Sequence, residues 1–166
     1  MATVLNSGKQ TPLNFTPGTI LILKPTVTPP TNVYVLPPIC VDLTLFNKNG
    51  DILLNISSSY TKNITCKDRA RRSLGSGWGN EQTVNMKGRW VDGVTISVHH
   101  YLTDSEFGRY QNLFNGKTIC HFDKRFPGPA TQISSGGNEW ASSWDVVVCK
   151  IDDLFPEERR ALVAGR

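Results

Sequence analysis

Asp42-Leu43-Thr44-Leu45-Phe46-Asn47-Lys48-Asn49-Gly50-Asp51-Ile52-Leu53-Leu54-Asn55-Ile56-Ser57 reads as a β-hairpin. Before the turn, Asp42 and Thr44 oppose Val41, Leu43 and Leu45, a period of two. Asn49-Gly50 favours the positive φ that tight hairpin turns require. On the returning strand Ile52, Leu54 and Ile56 share one face, and Leu53, Asn55 and Ser57 the other. Extending that second face to Ser59 gives a polar row of Asn55, Ser57 and Ser59 on one surface of a sheet. Such a row is ordinarily the wet face of an antiparallel sheet. The floor of a binding site is the alternative.

Outward from the hairpin the chain keeps the same grammar. Residues 1–17 are polar and turn-rich. Strand patterns follow at Thr19–Leu23, Asn32–Leu36, Ile39–Phe46, Asp51–Ser57, Asn63–Cys66, Gln82–Lys87 and Val94–His100. Arg109–Phe114 and Lys117–Phe122 flank a second Asn-Gly turn at Asn115-Gly116, and Gln132–Ser134 and Asp145–Ile151 complete the set. Many short strands broken by Gly and Pro indicate a β-sandwich or barrel. Only Pro156–Val163 looks helical, with Pro at the first turn and Glu157 and Glu158 beside it. Residues 1–151 are expected to form one domain, and residues 152–166 a C-terminal extension carrying that helix.

At 166 residues the chain can enclose one core. Apolar residues at 39% and charged residues at 19% are globular proportions, which excludes a disordered chain. The net charge of +4 is mild. Its sharpest local expression, Lys67-Asp68-Arg69-Ala70-Arg71-Arg72, has no interleaved aromatics, so nucleic acid is not an expected partner. A solvated loop is the expected state of that run, with contact to an anionic glycan as the alternative. No apolar run is long enough to span a membrane. Met1–Gly8 lacks the basic and apolar regions of a secretory signal, so a cytoplasmic location is expected, with release by a signal-independent route as the variant. Cys40, Cys66, Cys120 and Cys149 are widely spaced in strand-like segments and read as buried free thiols, not metal ligands. The sequons at Asn55 and Asn63 are expected to stay bare.

A second stretch concentrates chemistry: Gly75-Ser76-Gly77-Trp78-Gly79-Asn80-Glu81-Gln82. A Trp between glycines can sit on a sharp turn with one ring face open. The negative π face suits the C–H-rich face of a sugar ring, and Glu81 can accept hydroxyl hydrogen bonds as a charged partner. A hydrophobic plug is the commoner role for a loop Trp.

Catalytic constellations are sparse. His99 and His100 point to opposite faces of a strand, and His121 stands alone. No metal-spaced cluster, phosphate loop or nucleophile elbow occurs. Asp51, Glu81 and Asp92 could pair as glycosidase carboxylates only at separations of roughly 5–10 Å. No enzyme activity and no cofactor are expected.

The residues quoted above, taken in order, resemble the galectin family, most closely its basidiomycete fungal members. Asp42–Asn47 with Gly50–Ile56 is similar to the paired strands leading to the family's sugar-binding His. Trp78-Gly79-Asn80-Glu81-Gln82 resembles its Trp-Gly-x-Glu signature. Tyr110–Lys117 resembles its strand and Asn-Gly hairpin, and Phe122-Asp123-Lys124-Arg125-Phe126-Pro127 its Phe-x-His-Arg-x-Pro. The likeness spans roughly residues 15–151. It implies an all-β, galectin-type jelly-roll β-sandwich of two antiparallel sheets. It also implies a lectin without cofactor whose partners are glycans, and a homodimer or higher homo-oligomer. The carbohydrate-binding residues it implies are Asn55, Ser57, Ser59, Asp68, Trp78 and Glu81.

The pattern also departs from the family. Asn55 stands in place of the His, Ser57 of an Asn, Ser59 of an Arg and Thr83 of a second Arg. The later Asn falls on Lys67 or Asp68. Hydrogen bonds to charged groups contribute roughly 1.5–3 kcal/mol each. Losing two weakens lactose binding by about two to four decades, at ~1.4 kcal/mol per decade. The expected lectin therefore binds lactose weakly or not at all and prefers N-acetylated or more complex glycans. A galectin-like protein that has lost sugar binding and acts through protein–protein contacts is the alternative.

Overall fold

A computed structural model of the chain describes residues 3–26, 41–58, 63–71, 78–86, 95–136 and 143–166. The strand expected at Asn32–Leu36, together with Cys40, Ser59 and Asp92, lies outside them. Among the described residues twelve strands form two six-stranded antiparallel sheets. They are β1 (Thr3–Asn6), β2 (Gln10–Phe15), β3 (Thr19–Pro25), β4 (Val41–Phe46), β5 (Ile52–Ser58), β6 (Asn63–Arg69) and β7 (Glu81–Asn85). The chain continues through β8 (Ile96–Tyr101), β9 (Arg109–Phe114), β10 (Lys117–Asp123), β11 (Ala130–Ser135) and β12 (Ser143–Lys150). One sheet runs β1-β12-β3-β8-β9-β10, the other β2-β11-β4-β5-β6-β7. Their inner faces enclose one core, with Leu21, Leu23, Leu43, Leu54, Ile64, Ile96, Tyr110 and Trp144 all buried.

Both expected hairpin turns form. Gly50 has φ +83° on the β4–β5 turn, and Asn115 and Gly116 both have positive φ on the β9–β10 turn. The helix α1 (Pro156–Ala164) begins at its Pro, after a 3-10 turn at Ile151–Asp153. It lies on the outer face of the first sheet, where Leu162 joins Ile20 and Leu113 in a separate apolar cluster. Gln111 Nε2 donates to the Leu162 carbonyl at 3.0 Å, and His121 Nε2 lies 2.9 Å from the Gly165 carbonyl oxygen.

Three expectations are corrected. Residues 1–17 are not merely turn-rich: they contain β1 and β2. β2 is an edge strand and tolerates Pro12 for that reason. The run from Lys67 is not a loop, because β6 carries it through Arg69. The face assignment on β5 breaks at its start. Phe46 pairs with Ile52 while Leu45 pairs with Leu54, so Leu53 is the extra residue of a bulge. Leu53 turns into the core at 0% exposure, and Ile52 joins the outer surface beside Phe46.

Some polar groups are held inside the sandwich. Cys66 Sγ on β6 and Cys120 Sγ on β10 face each other at 3.4 Å as free thiols. Asn112 Nδ2 reaches Cys120 Sγ at 3.4 Å. His100 is buried in a three-ring cluster with Phe15 and Tyr110, at centroid distances of 5.8 and 4.9 Å.

Candidate functional site

The outer face of the second sheet is built from lateral rows that its register dictates. Asp42, Ser57, Thr65 and Thr83 lie side by side across β4, β5, β6 and β7. The next row is Thr44, Asn55, Lys67 and Glu81, and beyond the bulge follows Phe46, Ile52 and Arg69. Strand alternation sends Lys67 and Arg69 outward and Asp68 inward. This resolves the ambiguity of the sequence: Lys67, not Asp68, stands beside Asn55 on the outer face.

Asp68 has a different task. Its carboxylate is 0% exposed and takes a bidentate ion pair from Arg125, with Nε 2.7 Å from Oδ2 and Nη2 2.5 Å from Oδ1. The Asn80 N–H donates to Oδ1 at 3.0 Å, and the Gly79 N–H donates to the Asp68 carbonyl at 2.7 Å. Asp68 thus staples the turn that presents Trp78. The carboxylate beside it raises the pKa of the Arg125 guanidinium, chiefly through their hydrogen bonds. Gly79 is required here, because an added Cβ would run into the Arg125 guanidinium and lie 2.5 Å from Asp68 Oδ1.

Held this way, Trp78 is half-buried over the outer face. Lys67 Nζ lies 4.2 Å from its ring centroid and Arg69 Cζ 4.6 Å, so two cations meet the negative π surface. Glu81 begins β7, exposed, opposite Lys67. Ser57 is half-buried in the adjoining row.

Asn55 is enclosed at 2% exposure. Its Nδ2 donates to Asp42 Oδ1 at 2.7 Å and Thr44 Oγ1 at 2.9 Å, while its Oδ1 is buried with no partner. An amide so committed cannot swing out to replace an imidazole. Of the residues expected at a sugar site, Trp78, Glu81, Ser57 and Asn55 therefore share one surface. Asp68 supports that surface from within, and Ser59 is outside the described residues. Lys67 and Arg69 are the additions. Their signal was present in the sequence as Lys-Asp-Arg, which at a period of two puts both cations on one face.

Asp51, one of the three carboxylates weighed for catalysis, is occupied in the β4–β5 turn. It accepts from Asn47 Nδ2 at 3.0 Å and from the Arg71 N–H at 2.8 Å. Among the described residues no three His, Cys, Asp or Glu side chains converge as metal ligands. No helix among them is long and apolar enough to cross a membrane.

No protein-family model and no curated protein matches the chain. Solved structures do. A variant of human galectin-16 is 17% identical, with a TM-score of 0.64 over 89% of this chain and 99% of that one. Galectin LEC-6 of Caenorhabditis elegans is 18% identical, with a TM-score of 0.57 over 87% and 95%. A toad ovary galectin, solved as a complex with N-acetylgalactose, is 16% identical, with a TM-score of 0.63 over 87% and 99%. At these identities the likeness is one of fold: the two sheets form a galectin-type jelly-roll sandwich.

Proposed function

We propose that this chain is a glycan-binding lectin whose specificity departs from simple β-galactosides. One observation carries the proposal. The ion pair of a buried Asp68 with a half-exposed Arg125 holds a half-exposed Trp at the border of an open sheet face, with Glu81 exposed beside it. A plug would bury the indole instead. In this reading Trp78 stacks on a sugar ring, Glu81 and Ser57 take hydroxyls, and Asn55 and Asp68 are positioning residues. The toad ovary galectin bound to N-acetylgalactose lends support by analogy of fold. Lactose is bound weakly or not at all, because Asn55 is committed to Asp42 and Thr44 where the galectin pattern calls for a free imidazole. No catalytic step is part of the proposal.

The test is a glycan array probed with the wild-type protein and Trp78→Ala, with lactose and N-acetylated oligosaccharides among the ligands. Binding that the substitution abolishes is the expected result. Absence of any hit above background overturns it. A protein-binding role then takes its place, favoured by the same enclosure of Asn55.

A further inference from the structure

The row of cations beside Trp78 does not end there. Beyond Arg69 the outer face dips into a cavity of about 420 Å³ between the β4–β5 turn and the start of β11. Among the described residues its charged lining is Lys48, Arg69 and Arg71, with no carboxylate. Gln10 and Gln132 add side-chain amides, and Phe46 gives an apolar floor. Arg69 belongs to both places: its guanidinium lies over the Trp78 ring and it forms one wall of the cavity. Its Nε is buried with no hydrogen-bond partner. Arg71 lays its stem across Gly50, the Cδ lying 3.1 Å from where a Cβ would stand. The nearby Asp51 carboxylate is already taken by Asn47 Nδ2 and the Arg71 N–H.

We propose that this cavity is an anion subsite continuous with the Trp78 face, and that the preferred ligand is a glycan bearing a carboxylate or sulfate group. The inference rests on reading the Trp78 face as a sugar site. Like charges crowded around a concave surface repel one another and focus a positive potential that an anion relieves. Arginine suits the task, since its planar fork matches a carboxylate or sulfate with two parallel hydrogen bonds. The sugar ring of the charged residue lies against Phe46, and its anionic group faces Arg69, Arg71 and Lys48. The neighbouring residue of the same glycan stacks on Trp78.

The experiment titrates the purified protein with three matched oligosaccharides: a neutral parent, its sialylated form and its sulfated form. It is repeated with Trp78→Ala and with the exposed double variant Lys48→Gln/Arg71→Gln. One anionic form is expected to bind at least about tenfold tighter than its parent, an advantage that falls as salt screens the pocket. The double variant is expected to lose that advantage while keeping affinity for the parent, and Trp78→Ala to lose both. The better of the two anionic ligands names the charged group. Equal binding of neutral and anionic forms, lost in Trp78→Ala, overturns the anion subsite and leaves the sugar site standing. Anionic binding that survives Trp78→Ala marks general charge attraction and overturns the subsite too. Silence of all three ligands overturns both proposals together.

Discussion

Arg125 and Asp68 are 57 residues apart in sequence and joined by two charge-assisted hydrogen bonds that cross from the end of β10 to the inward face of β6. Through that pair the position of Trp78 depends on both sheets at once. Arg125→Ala leaves a carboxylate at 0% exposure with the Asn80 N–H alone. Stripping a partner from a wholly enclosed pair costs about 3–5 kcal/mol. Here Arg125 is 39% exposed, so a loss of about 2–3 kcal/mol is expected. Asp68→Asn, which keeps the shape and removes the charge, should cost less, about 1–2 kcal/mol. Urea unfolding of the two variants checks the order, and the reverse order would refute it.

Gly79→Ala tests the staple from the other side. The new methyl group must push the Arg125 guanidinium off Asp68. Thermal unfolding is expected to shift down by several degrees, at about 2–4 °C per kcal/mol for a chain of this size. Glycan binding should fall as far as it does in Trp78→Ala. A Gly79→Ala protein that binds as wild type would show that the turn does not position the indole.

The hairpins, the sheet class and the helix were legible because each is a local instruction. Asn-Gly marks a turn in both hairpins, with Gly50 and Gly116 at positive φ, and Pro156 with two acids marks a helix start. The bulge at Leu53 was not legible. A run of Ile-Leu-Leu carries no mark of which residue is extra, and the choice is made by pairing with Phe46 and Arg69 on neighbouring strands. β2 was hidden by Pro12, which reads as a breaker until the strand is known to be an edge. At the site, Trp78 and Glu81 came from a contiguous motif. The role of Asp68 could not, because its partner lies on the other sheet.

His100 sets a pH dependence. Burial, with Lys124 adding repulsion, pulls its imidazole down to about 4. The unfolded chain takes up that proton near pH 6.5, the folded chain only near 4. Stability is therefore full above about pH 6.5 and is lost as pH falls through that window, by about 2–4 kcal/mol from this group. His99, lowered mainly by burial, acts in the same direction. Urea midpoints between pH 7 and pH 4 measure the slope. His100→Gln should flatten it, and an unchanged slope would assign the effect to other groups.

Leu162 is the buried residue of α1. Leu162→Ala removes its contact with Ile20 and Leu113 and should cost about 2–3 kcal/mol, the lower end for a buried leucine because the cluster is small. The helix is expected to loosen with it, and the backbone amides of Gly165 and Arg166 at its last turn to exchange faster. Glycan binding on the opposite sheet should not change. A variant with normal protection at both amides would mean that the side-chain bonds from Gln111 to Leu162 and from His121 to Gly165 hold the helix without the leucine.

The seat of α1 also limits how copies of this chain can be combined. Two sandwiches cannot be laid flat against each other on the outer face of the first sheet while the helix occupies it, and the other broad face carries Trp78. An assembly that leaves the Trp78 face open grows sideways instead, from the edge strands of the described sheets, β1 and β2 on one side and β10 and β7 on the other. Where two copies pair edge to edge across a two-fold perpendicular to the sheets, their Trp78 faces lie on one continuous surface and look the same way. Such a molecule would grip several branches of a single coated surface more readily than it would bridge two surfaces facing each other.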